Sequence, residues 1–460
     1  MISRFNRTSR AHSAREQFSV TSAAGDALTI LLGLTVITTV RLVGDLPVGE
    51  ILVLVLVAPI FVMYHKRGLR TDLRILYCLQ ALWLLSQILT DIYRRTPSID
   101  WVRGNAGIVF FFMDLLFITM LITGNQRRKI MFITALGIGS MLSTLLFPTD
   151  FSSSYPWKFG YSMGVNLLAV LIASILCNKQ RYIIALIVLL GISAVNMAVN
   201  FRSPVLLFLV TIALAMPVIP EYIGAWRVLP PLGSYSRLWI LIALAVGASL
   251  VAFVAVKTLS VAGYLGEEAQ QKNTSQAQVK GGLLIGGRPE IVVSSQAVID
   301  SPILGHGSWA KDYHYTELLY DRMREYGLIQ QEDLDSVESN GEGVIPSHSH
   351  LMGAWVFSGI GGALFWFYLL WMVSKAIFRV SLKRPPFSPL LIYLCIGNVW
   401  DILFSPFGAS RRLIEGFLIV MTFDLLRDSG MTARSLLPLR RNTWQRGQFV
   451  PRVPVTAQGR

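Results

Sequence analysis

Charge is scarce in this chain. Asp, Glu, Lys and Arg make up only 15% of its 460 residues, while 53% are hydrophobic. A soluble globular protein of that length carries roughly a quarter charged residues, spread through separated amphipathic patterns, so that class is excluded. Cysteine is scarcer still, with three in all. Cys78, Cys177 and Cys395 each fall within an apolar run, so neither a disulfide framework nor a thiolate metal site is expected. Nor is a cleavable leader expected. Residues 1–25 carry Arg4, Arg7, Arg10 and Arg15 but no short apolar core ending in small residues, the pattern such a leader needs.

What the chain has in abundance is continuous apolar sequence. Twelve runs centre near residues 26–43, 48–64, 73–92, 104–122, 130–147, 161–177, 182–199, 204–219, 238–259, 350–373, 388–404 and 412–426. Each approaches the ~20 residues a helix needs to cross the hydrocarbon of a bilayer. The pattern predicts an all-α polytopic membrane protein with about twelve transmembrane helices. Its divisions are an N-terminal tail over 1–25, helices over 26–259, one large loop over 260–349, helices over 350–427 and a tail over 428–460.

A formal charge of +14 would suit nucleic acid, but its distribution fits a membrane better. Lys66, Arg67, Arg70 and Arg74 follow the second run, Arg127, Arg128 and Lys129 the fourth, Lys179 and Arg181 the sixth, and Lys375, Arg379, Lys383 and Arg384 the tenth. Basic residues concentrate in cytoplasmic loops. Clusters in every second connection therefore place both termini in the cytoplasm and the 260–349 loop outside. No nucleic-acid partner is expected.

Against that orientation some basic residues stand on the wrong side, all but one of them arginines. Arg94, Arg95, Arg103, Lys158, Arg202, Arg288, Arg411 and Arg412 all fall in external connections. Any one of them is explained as a side chain reaching up to the interface. As a set they form a collar suited to phosphate, because the guanidinium fork donates paired, charge-assisted hydrogen bonds. Arg202 in "VNFRSPVLLF" is the sharpest, since Ser203 and Pro204 read as the N-cap and first residue of a helix. An anion there would meet free backbone N–H groups as well. Asp114 lies inside an apolar run and is expected to face the bundle, as a packing group or a partner for a basic residue. Asp91 and Asp401 lie near Arg94–Arg95 and Arg411–Arg412 and are read as their supports.

The large loop predicts two helices, one from Pro289 to about Asp300 and one over "YHYTELLYDRMREYGL" (313–328), the latter on the membrane surface. A loop of this length with helices of its own fits a lid or substrate platform. His306, His314 and His348 lie in it and His350 at its edge, together four of six histidines. They read as plain interfacial polar groups, as chelators through H-x-H, or as acid–base groups, because imidazole titrates near neutrality. No cysteine or regular carboxylate spacing completes a metal shell, so no metal or other cofactor is expected.

Two stretches resemble the O-antigen ligase and polymerase family. "GRPEIVVSSQAVIDSPILGHG" is similar to its segment of Gly-Arg, a helix, then Pro-(apolar)-(apolar)-Gly-x-Gly. "SHSHLMGAWVFSGIGG" is similar to its His-Asn element followed by Gly eleven and fourteen residues later. Counting from His348 reaches Gly359 and Gly362, so His348 takes the family position, with Ser349 in place of the Asn. "NFRSP" resembles the family's Ser-Arg-Gly, with Arg202 as the match and Ser203 in place of the Gly.

The resemblance covers roughly residues 190–425. It implies a GT-C-like inner-membrane glycosyltransferase with a periplasmic loop, acting on an undecaprenyl-diphosphate-linked oligosaccharide donor. The acceptor is a lipid-linked repeat unit for a polymerase of O-antigen or exopolysaccharide, or lipid A–core for a ligase. A flippase and a chain-length regulator are implied as partners beside the bilayer. The roles carried over are His348 as base in an inverting, metal-independent transfer, and Arg202 and Arg288 on the diphosphate. His350, Arg94, Arg95, Arg411, Arg412 and His306 are secondary. The competing expectations are a transporter, against which stand the position of the large loop and the absence of an internal repeat, and a non-catalytic assembly partner.

Overall fold

The computed structural model describes residues 22–41, 45–64, 70–199, 201–216, 289–325 and 343–428, with a few isolated positions between 243 and 263. All but those positions of the ninth apolar run (238–259), together with Arg288, nearly all of the loop's polar start, its acidic stretch (332–342) and both tails, lie outside the described residues. Each of the other eleven apolar runs is helical over at least part of its described residues.

In chain order these are α1 (Ser22–Thr35), α2 (Val48–Tyr64), α3 (Arg74–Arg94), α4 (Ser98–Ile122), α5 (Gln126–Leu146), the short α6 (Asp150–Ser154), α7 (Ser162–Asn178), α8 (Tyr182–Ala198) and α9 (Arg202–Ala215). The loop supplies α10 (Glu290–Asp300) and α11 (Tyr313–Glu325). After it come α12 (His350–Ser358), α13 (Ile360–Lys383), α14 (Ser388–Phe404) and α15 (Ala409–Asp428). Among the described residues, five stretches are helical, long and apolar enough to cross a membrane: Thr71–Arg94, Ser98–Ile122, Gln126–Leu146, Trp157–Asn178 and Ile360–Lys383. The chain is an all-α multi-pass membrane protein in that sense. Shorter apolar helices, among them α8, α9 and α14, pack beside them.

Three local departures from the sequence expectation have physical causes. The first run does not stay helical to residue 43. It ends at Thr35, and a two-stranded antiparallel ribbon of β1 (Thr39–Arg41) and β2 (Asp45–Pro47) follows, built on β-branched Thr39 and Val40. The run at 350–373 is two helices rather than one, broken at Gly359 and extended to Lys383. Helix α9 starts at Arg202 with Phe201 as its N-cap, so Ser203 and Pro204 lie inside the first turn instead of opening it.

Small residues let the helices touch. Gly361 of α13 has no room for a side chain against Ser86 of α3, where a Cβ would come within 2.5 Å of the serine Cβ. Close backbone approach of this kind is the main attraction between helices in lipid, where no hydrophobic drive operates. The centre is aromatic: Trp83, Phe111, Phe365, Trp366 and Phe407 lie 5.0–6.2 Å apart, ring to ring.

Connections separate onto two ends. At one, Arg70 reaches Asp424 (2.7 Å) and Thr123 (3.2 Å), Lys129 reaches Asp424 (2.6 Å), and the Phe387 N–H donates to Asn178 (3.1 Å). At the other lie residues 91–96, the turn after α10, and the chain leading into α12. Leu214, near the far end of α9, packs with Val380 and Ile392, which puts Arg202 at the loop-bearing end.

Candidate functional site

At the loop-bearing end, the turn after α10 docks on the break between α12 and α13. Gly359 adopts φ 67°, ψ −157°, a region essentially reserved for glycine. Its break frees backbone groups of α12 and α13, and the turn takes them up. His306 and Gly307 donate their N–H groups to the carbonyls of Val356 (2.7 Å) and Phe357 (3.0 Å), and Ile360 donates back to Ile303 (3.1 Å). The Trp355 indole donates to Pro302 (2.9 Å). Thus the Pro302–Gly307 motif and the glycine motif after His348, some fifty residues apart, form a single unit.

Asp91 fastens this unit to α3 and α4. Its buried carboxylate accepts from the Ser308 N–H (2.6 Å) and hydroxyl (2.8 Å), Asn105 (2.7 Å), Thr96 (2.9 Å) and Gln87 (3.3 Å). It does not pair with Arg94. That guanidinium instead grips the turn, donating to the Gly305 carbonyl (3.1 and 2.9 Å) and to Ser301 (2.8 Å). Beside it, Thr90 donates to the Leu304 carbonyl.

The segment entering α12 separates the two histidines of H-x-H. Ser349 is the N-cap: it accepts from the Met352 N–H (3.1 Å) and donates to the Ile402 carbonyl (2.8 Å). His350 is wholly buried, with its ring against Trp366 and Phe407 at 5.0 and 5.1 Å. Its Nδ1 donates to the Ser405 carbonyl (2.6 Å), and its Nε2 faces Glu415 Oε1 at 3.5 Å. Asn398 donates to the other Glu415 oxygen. His348, two residues earlier, precedes the helix and is half-buried, so it is the histidine with access to the surface.

The remaining loop histidines are held differently. His306 Nε2 donates to the Ala297 carbonyl (2.8 Å) and its ring meets Tyr315 at 5.4 Å, joining the turn to α10 and α11. His314 is exposed. Tyr315 also donates its hydroxyl to Asp300 (2.7 Å). That hydrogen bond holds the Asp300 carboxyl below its ordinary value, while burial and the neighbouring carboxylate push the Tyr315 phenol up.

The arginine collar is only partly open. Arg411 pairs with Asp401 at 3.0 Å, as its position in the sequence suggests. Arg412 turns into the bundle and grips buried Glu50 with two hydrogen bonds, 2.7 and 2.6 Å, so it is not offered to a ligand. Arg95 ends α3 in a left-handed conformation, exposed. Arg202 is half-buried at the start of α9.

Sequence reasoning passed over Glu50, Glu415, Asn398 and Ser308. The first two did leave a signal, because an acid inside an apolar helix is costly unless paired. The long-range partners, Arg412 and His350, have no signature in local spacing. No protein-family model matches the chain, and no curated protein does.

Proposed function

We propose that the protein is a lipid-carrier-dependent glycosyltransferase of the bacterial inner membrane, with the twelve-span, GT-C-like topology and cytoplasmic termini expected above. It transfers a glycan from undecaprenyl diphosphate on the periplasmic face, polymerising O-antigen or exopolysaccharide repeats. The observation that carries this reading is the docking of Pro302–Gly307 on the Gly359 break. The described parts of the two stretches that resemble the ligase and polymerase family, from Pro289 onward and from Ser347 onward, pack together at the end where Arg202 begins its helix.

In this reading the acceptor hydroxyl oxygen attacks the anomeric carbon of the donor sugar. Its proton passes to His348, and the bond from that carbon to the diphosphate oxygen breaks, with undecaprenyl diphosphate leaving on the electron pair. Arg202 and Arg288 bind the diphosphate and stabilise the charge it gains. Arg95 is a further contact. Arg94, Arg411 and His350 support the loop and helix ends around the site.

A deletion strain tests this directly. Accumulation of glycan of one repeat supports a polymerase, unattached long polymer assigns a ligase, and unchanged surface glycan removes the proposal.

A further inference from the structure

Deep in the bundle, three helices bring together three ionisable groups that the proposed transfer does not use. Arg412, in the first turn of α15, donates from Nε and Nη2 to the two oxygens of Glu50 on α2, at 2.7 and 2.6 Å. Asp114 on α4 faces Glu50 and the guanidinium. Glu50 and Asp114 are both wholly buried, and neither Asp114 oxygen has a hydrogen-bond donor among the described residues. Among the described residues, the charged groups facing Asp114 are Glu50 and Arg412. Apolar groups stand beside them: the Phe110 ring lies 5.8 Å from the guanidinium carbon, and Phe111 and Leu115 of the same helix as Asp114 are wholly buried.

The charges of this trio do not balance if both acids are ionised. One guanidinium answers one carboxylate, and the second carboxylate is left as a bare buried charge without a donor, which is costly inside a bundle. Two ionised carboxylates also have no hydrogen to place between them. One proton resolves both difficulties: it neutralises the excess charge, and its O–H donates from one acid to the other. A metal ion fits poorly. Hard cations want six or more oxygens, whereas here both Glu50 oxygens are taken and a guanidinium stands beside them.

We infer that Glu50 and Asp114 share one bound proton, so that the Glu50–Asp114–Arg412 trio is a neutral proton-binding site joining α2, α4 and α15. The inference does not depend on the glycosyltransferase reading.

Infrared spectroscopy of the full-length protein in detergent tests it. The wild type should show the C=O band of a protonated carboxylic acid that shifts in heavy water, and Asp114→Asn and Glu50→Gln should each lose it. Asp114→Asn should fold and melt like the wild type, because the amide has the size of the protonated acid and donates to Glu50. A wild type without the band, or an Asp114→Asn protein that keeps it or fails to fold, overturns the inference. Thermal stability that rises with sodium over choline, together with a missing band, assigns the site to a cation and overturns it as well.

Discussion

Gly305 and Gly359 meet backbone to backbone. A Cβ on Gly305 would lie 2.6 Å from the Gly359 nitrogen, and one on Gly359 would overlap the Ile303 carbonyl. Both residues have positive φ, 75° and 67°. The contact is what joins the loop to the α12–α13 break, so Gly359→Ala meets strain and overlap together. It should cost about 1–3 kcal/mol from the backbone alone and more from the displaced turn. Thermal unfolding in detergent should report the loss, with a smaller loss for alanine at Gly397, where nothing crowds the position.

Asp91 gathers five donors in one buried carboxylate. Asp91→Ala leaves those donors buried without an acceptor, at about 1–3 kcal/mol for each one that water does not reach. Limited proteolysis should then cleave the 289–325 segment faster than in the wild type, at unchanged membrane insertion. Asp91→Asn, which keeps one acceptor oxygen, should fall between.

Asp300 and Tyr315 tie α11 to α10 in a pH-dependent way. The Asp300 carboxyl is lowered from 3.8 by the Tyr315 hydroxyl, so its contribution is fully present above the unfolded value and is lost as pH falls through the folded one. Acidification below about pH 4 should loosen α11, seen as faster hydrogen exchange over Tyr313–Glu325. In Tyr315→Phe that loosening should already be present at neutral pH and change little on acidification.

The bundle was legible in the sequence because lipid demands long apolar runs, and such runs are visible without knowing what packs on them. Residues 48–64 and 388–404 are helices over the same bounds that their apolar runs mark. The break at Gly359 was not read, since a glycine inside an apolar helix is ordinary until a second segment needs its left-handed backbone. Arg412 was placed in an external collar because its neighbours in sequence are interfacial. Its partner Glu50 is 362 residues away, and spacing carries no information about such a pair. Of the two histidines, the glycine count singled out His348. The burial of His350 against Trp366 and Glu415 leaves His348 as the accessible one, by an argument independent of any motif.

The proposed transfer rests on His348 as the base. The most direct measurement is glycan transfer and chain length in cells carrying His348→Ala, with membrane level and thermal stability matched to the wild type. Transfer in His348→Ala should fall at least about 100-fold, the lower range for loss of a general base, while His314→Ala retains it. Wild-type transfer and chain length in His348→Ala would contradict it.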